Sequence, residues 1–431
     1  MEYFEIIVLV VSFVALLVLG VPIAYSIGIS GSITLLLSVM PGPAFTTFAQ
    51  RMATALDSFA LLAIPFFILA GQLMNQGGIA IRLIDFAKVL VGRLPGGLAF
   101  VNVIANMLFG AISGSAAASA SAIGSIMTPK MNDEGYDTAY STAVNITSAT
   151  TGLVIPPSNI LIVFSLASGG VSIAALFLAG YIPGILTGIA LMAVAGFIAH
   201  KKKYPVGEKV NLKTGVIKFL DAIPSLFLLV IVIGGIIAGY FTATEASAIA
   251  VLYTLILSFI YKQISFKQIP QILLRTVGTT AIVLFLVGTS MGLSWVMSYA
   301  NIPQSVSAGL LSLSSNPFTI LLIINFILLF VGIFMDMTPA VLIFTPIFLP
   351  VVVGMGMDPV HFGIIMVMNL SVGLCTPPVG SVLFIGCSVA KIRIEKVIKP
   401  LLPLFAAMIA VLLLVTYFPK ISLWLPSLFG Y

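Results

Sequence analysis

The chain has 431 residues, 60% of them hydrophobic and 7% charged, with a mean hydropathy of +1.22. A soluble domain carries about 25% charged residues, so that class is excluded, and apolar stretches of membrane-spanning length recur from end to end. The net charge of +6 does not mark a nucleic-acid partner, because the basic residues sit in short segments between the apolar ones.

The start, MEYFEIIVLVVSF, has an acidic lead and no small-residue cleavage site, which reads as an uncleaved anchor. Residues 5–20 and 23–40 form a helical pair broken at Gly20-Val21-Pro22, and 42–57 is a short amphipathic, interfacial stretch. Segment 58–76 then enters the cytoplasm. Five segments, 78–93, 129–138, 200–219, 261–275 and 389–399, hold 17 of the 19 Lys and Arg, which assigns them to the cytoplasmic side. Segment 94–128 joins two of these, yet it is too short for a crossing pair, which needs about 40 residues plus a turn. Its middle, SGSAAASAS (113–121), is expected at the tip of a re-entrant hairpin. Segments 139–168 and 173–199 cross out and back.

Beyond the Lys-rich segment, 220–240, 243–260 and 276–299 cross in alternation. Residues 317–353 must begin and end outside, because 360–388 has to reach the cytoplasm at Lys391. That makes a second hairpin, entering from the opposite face. Residues 400–418 leave the C-terminus outside. The expected fold is an all-α polytopic membrane protein with about ten transmembrane helices and two re-entrant hairpins. Its layout is a first repeat (1–199), a cytoplasmic linker (200–219), a second repeat of inverted topology (220–419) and a periplasmic tail (420–431). Both termini are expected in the periplasm. Cys375 and Cys387 lie in apolar segments and imply no disulfide framework.

The repeat has its own signature. GLVIPPS (152–158) matches GLCTPPV (373–379) at four of seven positions, and LFGAI (108–112) matches LFVGI (329–333). The offsets are 221 between the motifs and 222 between Gly110 and Gly332. Thr128-Pro129 and Thr345-Pro346 are expected to close the two hairpins. Inverted repeats with helices broken at the midplane are the architecture of secondary transporters, and the paired breaks mark the binding site.

Two adjacent prolines inside a membrane helix need a reason. Each costs roughly 3 kcal/mol in a helix interior, and lipid offers no water to the freed carbonyls. Such a break exposes carbonyl oxygens at one half-helix end, suited to a small hard cation, and amides at the other, suited to an anion. At the first break Gly152 and Ile155 can present carbonyls and Pro156 ends the half-helix, while the hairpin tip adds Gly110 and the hydroxyls of Ser113, Ser115 and Ser119. At the second, Gly373, Thr376 and Val379 face the turn containing Gly332, Asp336 and Thr338. Small residues admit close backbone approach and hydroxyls add neutral oxygens, a set that suits sodium better than a transition metal. Ser113, Ser119, Asn145, Ser158, Asp336, Thr338 and Asn369 are candidates for the wall of a substrate cavity. Asp336 is costly at membrane depth, at roughly 2.5–3.5 kcal/mol, which points to function. The serines and glycines of 113–121 also suit plain helix packing. No metalloprotease, phosphate-loop or nucleophile-elbow motif occurs, so an enzyme is not indicated.

The inverted repeat, the serine-rich hairpin LFGAISGSAAASASAIGSIMTPKM (108–131), the stretch LLAIPFFILAGQLM (61–74) and the paired GLxxPP breaks together resemble the large membrane subunit of tripartite ATP-independent periplasmic (TRAP) transporters. The resemblance covers essentially the whole chain. It implies an elevator-type ion-transporter fold with two sodium sites at the breaks, in the bacterial inner membrane. By that resemblance Gly110, Ser115, Gly152, Ile155 and Pro156 line one sodium site, and Gly332, Gly373, Thr376 and Val379 line the other. It also implies two partners, a small membrane subunit of about four helices and a periplasmic substrate-binding protein. The substrate implied is a carboxylate-bearing anion, chiefly a C4-dicarboxylate or sialic acid, with a slight lean to sialic acid. A stand-alone sodium/carboxylate symporter of the same fold is the main alternative, and an ion channel the lesser one.

Overall fold

The computed structural model describes residues 2–205, 212–314 and 316–431. Residues 206–211 of the Lys-rich segment, Lys209 among them, lie outside the described residues. All regular structure among the described residues is helical. The first half contains α1 (Glu2–Val18), α2 (Ile23–Leu35), α3 (Pro41–Leu56), α4 (Ala63–Gln76), α5 (Ile79–Val91), α6 (Gly97–Ser113), α7 (Ala116–Asp133), α8 (Thr138–Thr151), α9 (Asn159–Ala167) and α10 (Ile173–Lys201). The second contains α11 (Leu212–Ile237), α12 (Ala243–Ile260), α13 (Ile269–Tyr299), α14 (Ile302–Leu313), α15 (Pro317–Phe334), α16 (Met337–Gly354), α17 (Pro359–Gly373), α18 (Ser381–Val389), α19 (Ile394–Tyr417) and α20 (Lys420–Leu428). Eight helices among the described residues are long and apolar enough to cross a membrane.

Polarity is arranged for lipid rather than water. Large apolar side chains such as Val18, Leu274 and Phe326 point outward, while a helix rich in hydroxyls is almost entirely enclosed. That helix is α8, TAYSTAVNITSATT, in which all but Thr138 and Ala139 are buried. Its hydroxyls are satisfied locally: Thr147, Ser148 and Thr151 donate to carbonyls three or four residues back. A polar helix is stable at membrane depth only when protein surrounds it on every side.

The same order of elements appears in each half, a helical hairpin followed by a broken helix. In the first half these are α6–α7 and α8–α9; in the second, α15–α16 and α17–α18. The first turn is tighter than expected. Only Gly114 and Ser115 lie outside the helices, with Gly114 at φ +61° donating its N–H to Gly110 O; residues 116–121 are already α7. By length α15 and α16 each qualify as a span, yet their connection at Met335–Asp336 faces an internal cavity, as a re-entrant tip does.

Several elements differ from expectation. Thr128-Pro129 and Thr345-Pro346 do not close the hairpins, since Pro129 lies inside α7, and α16 runs through Pro346 to Gly354. Segment 78–93, weighed by its charges, is the amphipathic helix α5. Ile79, Ala80, Leu83, Ile84 and Ala87 recur at helical spacing and are buried. Arg82 pairs with Asp221 at 3.2 Å, and Lys218 with Asp85 at 2.9 Å, tying α5 to α11. The expected tail is also helical: α20 packs on α10 and α17, where the His361 ring nitrogen Nδ1 lies 2.6 Å from Ser422 Oγ. Helix α14 had no counterpart in the sequence reading.

Orientation is open to direct measurement. Single cysteines at Lys202 and Ser314 should react with impermeant reagents from opposite membrane faces, because the basic segments share one side. Reaction of both from one face would contradict the inverted layout.

Candidate functional site

Each hairpin meets its broken helix at a pair of glycines. A methyl group on Gly110 would lie 2.9 Å from the Gly152 Cα, and one on Gly332 would lie 3.0 Å from the Gly373 Cα. Both approaches are backbone against backbone, a closeness that only glycine allows. The crossings bring Gly110 and Gly152 together in one half and Gly332 and Gly373 in the other, so four of the nine cation candidates are paired as the repeat implies.

The break after α8 leaves buried carbonyl oxygens without a donor. Among the described residues, the carbonyls of Gly152, Ile155 and Pro156 accept no hydrogen bond. Ser158 donates across the break to Leu153 O. The second break is wound more tightly. Thr376 N–H donates to Gly373 O at 2.9 Å, and Gly380 N–H donates to Thr376 O at 3.1 Å. The Thr376 hydroxyl donates to Val372 O at 2.8 Å, which leaves its oxygen lone pairs unused. The Val379 side chain is exposed, and its carbonyl and that of Gly332 accept no hydrogen bond among the described residues. Both Pro-Pro bonds, 156–157 and 377–378, are cis.

A cavity of about 240 Å³ lies where these elements converge. The first residues of four helices line it: Ala116 of α7, Asn159 of α9, Met337 of α16 and Ser381 of α18. Helix N-termini carry partial positive charge, so four of them around one space favour an anion, although Ala118 N–H already donates to Ser115 Oγ and the amides of Val382 and Leu383 to Leu374 O. Ser113, Asp336 and Thr338, candidates for a cavity wall, line the same cavity, and so does Ser115, a candidate for the first cation site. Gln72 and Asn75 of α4 and Thr279 of α13 supply the facing wall. Gly71 lets α4 approach the first tip: a methyl there would lie 3.0 Å from Ser113 O.

Four expected wall residues do not line the cavity. Ser119 and Asn145 are buried in a closed network, in which Ser119 Oγ donates to Asn106 Oδ1 at 2.7 Å and Asn145 Nδ2 donates to Ala120 O at 2.9 Å. Asn369 donates to Asn325 on α15, and Ser158 to Leu153. Apart from Asn369 Oδ1, which has no partner, their polarity is spent inside the protein. The sequence reading missed Asn159 and Ser381, although each opens the half-helix that follows a Pro-Pro pair. Asn159 Oδ1 is buried with no partner. Gln72 and Asn75 carried a signal as well, being polar residues within an apolar run.

The family described as "Tripartite ATP-independent periplasmic transporter, DctM component" matches residues 10–421. The chain belongs to that DctM family. Named relatives in the family are transporter permeases, and the chain is a multi-pass membrane protein. This member is 58% identical over 430 residues to "Uncharacterized protein YgiK" of Salmonella typhimurium, covering 100% of this chain and 99% of that one. It is 38% identical to the C4-dicarboxylate TRAP transporter large permease protein DctM of Pseudomonas aeruginosa, over 94% of each chain. It is also 38% identical to the sialic acid TRAP transporter large permease protein SiaM of Vibrio cholerae, over 96% of this chain and 97% of that one. Those two identities are equal, so they do not bear out the lean to sialic acid. Among solved structures, the YdaH transporter of Alcanivorax borkumensis superimposes with a TM-score of 0.65, covering 86% of this chain and 87% of that chain. At 12% identity that likeness concerns the fold alone.

Proposed function

We propose that this DctM-family chain imports a carboxylate-bearing organic anion, a C4-dicarboxylate or sialic acid, across the bacterial inner membrane, driven by sodium bound at the two breaks. The observation that carries this reading is the convergence of four helix N-termini on one cavity, flanked by the two glycine crossings. The N-termini hold the carboxylate. Free carbonyls of Gly152, Ile155 and Pro156 in one half, and of Gly332 and Val379 with the Thr376 hydroxyl in the other, hold the cations. Asp336 is the one acidic side chain lining the cavity among the described residues.

Transport proceeds by an elevator motion. The hairpins and broken helices move as a unit, and α4 and α13 form the fixed wall they slide against. The two repeats, 1–199 and 220–419, are inverted and joined by the cytoplasmic linker 200–219, with both termini in the periplasm. Capture is the task of a periplasmic binding protein, and a small four-helix membrane subunit completes the complex. The names of the relatives, which are large permease proteins of TRAP transporters, support that partnership.

This chain alone, in proteoliposomes with an inward sodium gradient and free labelled succinate or sialic acid, should give little uptake. Adding the binding protein and the small subunit should restore it. Robust transport by the chain alone would favour the stand-alone symporter.

A further inference from the structure

Each glycine crossing is accompanied by a second fixed point. In the first half, Asn106 of α6 lies four residues before Gly110, and Asn145 of α8 lies seven before Gly152. The Asn106 amide nitrogen donates to Asn145 Oδ1 at 3.1 Å and to Ser148 Oγ at 3.0 Å. In the second half, Asn325 of α15 lies seven residues before Gly332, and Asn369 of α17 lies four before Gly373. Asn369 Nδ2 donates to Asn325 Oδ1, and Asn325 Nδ2 donates to Thr416 Oγ1 at 3.2 Å. All four asparagines are buried. The spacings, four and seven, are exchanged between hairpin and broken helix from one half to the other.

We infer that the Asn106–Asn145 and Asn325–Asn369 pairs are positioning residues that set the two glycine crossings, and through them the spacing of the carbonyls at each break. A glycine contact is close but non-directional, so one helix can roll or pivot about it. A hydrogen bond one to two turns away supplies a second point and a direction, and two points fix both the crossing angle and the register. In a dry interior the amide bond is strong, and losing half of it strands a buried polar group. The two clamps are not equally complete. Ser119 satisfies Asn106 Oδ1, whereas Asn369 Oδ1 is buried with no partner. The second crossing is therefore held by fewer bonds and is the better one to perturb.

The effect on sodium rests on the proposed function, whereas the effect on geometry does not, so the test has two readouts. Asn325→Leu/Asn369→Leu removes both partners at once and replaces them with apolar groups of similar size, a change that folding tolerates better than a single loss. In the full chain, hydrogen exchange over 330–336 and 373–376 should become faster in this variant. In the assembled three-component system, the sodium concentration for half-maximal uptake should rise about tenfold, as for losses behind other ion ligands, with maximal rate largely kept. Plain membrane glue would lower thermal stability without moving that concentration. A variant that folds with wild-type exchange overturns the inference. So does one with faster exchange and an unchanged sodium curve in a wild type that depends on sodium. If wild-type uptake ignores sodium altogether, the functional reading fails, and the exchange readout still decides the positioning role. Should the double variant not insert, Asn369→Ala, which leaves Asn325 bonded to Thr416, is measured in its place with the same criteria.

Discussion

Gly373→Ala should strongly reduce sodium-dependent uptake while the protein still inserts in the membrane. The added methyl would lie 2.6 Å from both the Cα and the carbonyl carbon of Gly332. Those are backbone atoms, so no rotamer change can relieve the overlap, and α15 must move away from α17. Overpacking of this kind costs about 1–3 kcal/mol, which corresponds to roughly a 5- to 150-fold loss of the competent geometry. Gly152→Ala should act alike, because its methyl would lie 2.6 Å from the Gly110 carbonyl carbon and 2.8 Å from Ala111 N. Gly354→Ala, where nothing lies within 4 Å, serves as the control and should transport as wild type. Uptake by the assembled system, normalised to protein in the membrane, is the measurement. Normal uptake by Gly373→Ala would show that the crossing has no part in transport.

Thr376→Val should raise the sodium requirement steeply, while Thr376→Ser should stay near wild type. Valine keeps the volume and the β-branch but deletes the oxygen at the second break. The hydroxyl also donates to Val372 O, so a purely structural role would appear as reduced thermal stability. The sodium curve separates the two roles. A cation ligand moves the half-maximal concentration, by about tenfold or more for one lost neutral oxygen. A capping group lowers the amount of folded protein and leaves the curve in place.

The sequence alone carried the two breaks, since paired prolines interrupt the hydrogen bonding of a helix, and Ser113, Asp336 and Thr338 were assigned to the cavity they line. It also grouped Gly110 with the first break and Gly332 with the second, while the close glycine-to-glycine contacts emerged only from the packing. What it could not carry was the direction of side chains on helices buried on all sides. Helix α8 is polar around its whole circumference, so periodicity could not tell that Asn145 faces Asn106 rather than the cavity. Asn369 was misplaced for the same reason. Helix α5 was obscured by Arg82, Lys88 and Arg93, whose charges outweighed the spacing of its buried apolar residues. The polar wall contributed by Gln72, Asn75 and Thr279 depends on how two distant segments pack, which no local pattern encodes.

The central claim is that the paired breaks are cation sites that power uptake of a carboxylate anion. Its most direct test is accumulation of labelled succinate or sialic acid in proteoliposomes holding this chain with its small subunit and binding protein. Sodium is supplied as an inward gradient, at equal concentration on both sides, or replaced throughout by potassium. The account predicts accumulation above the external level only under the inward sodium gradient, and its loss in Ser115→Ala and Thr376→Val at sodium levels that drive the wild type. Equal accumulation in potassium, or wild-type sodium curves in both variants, would contradict it.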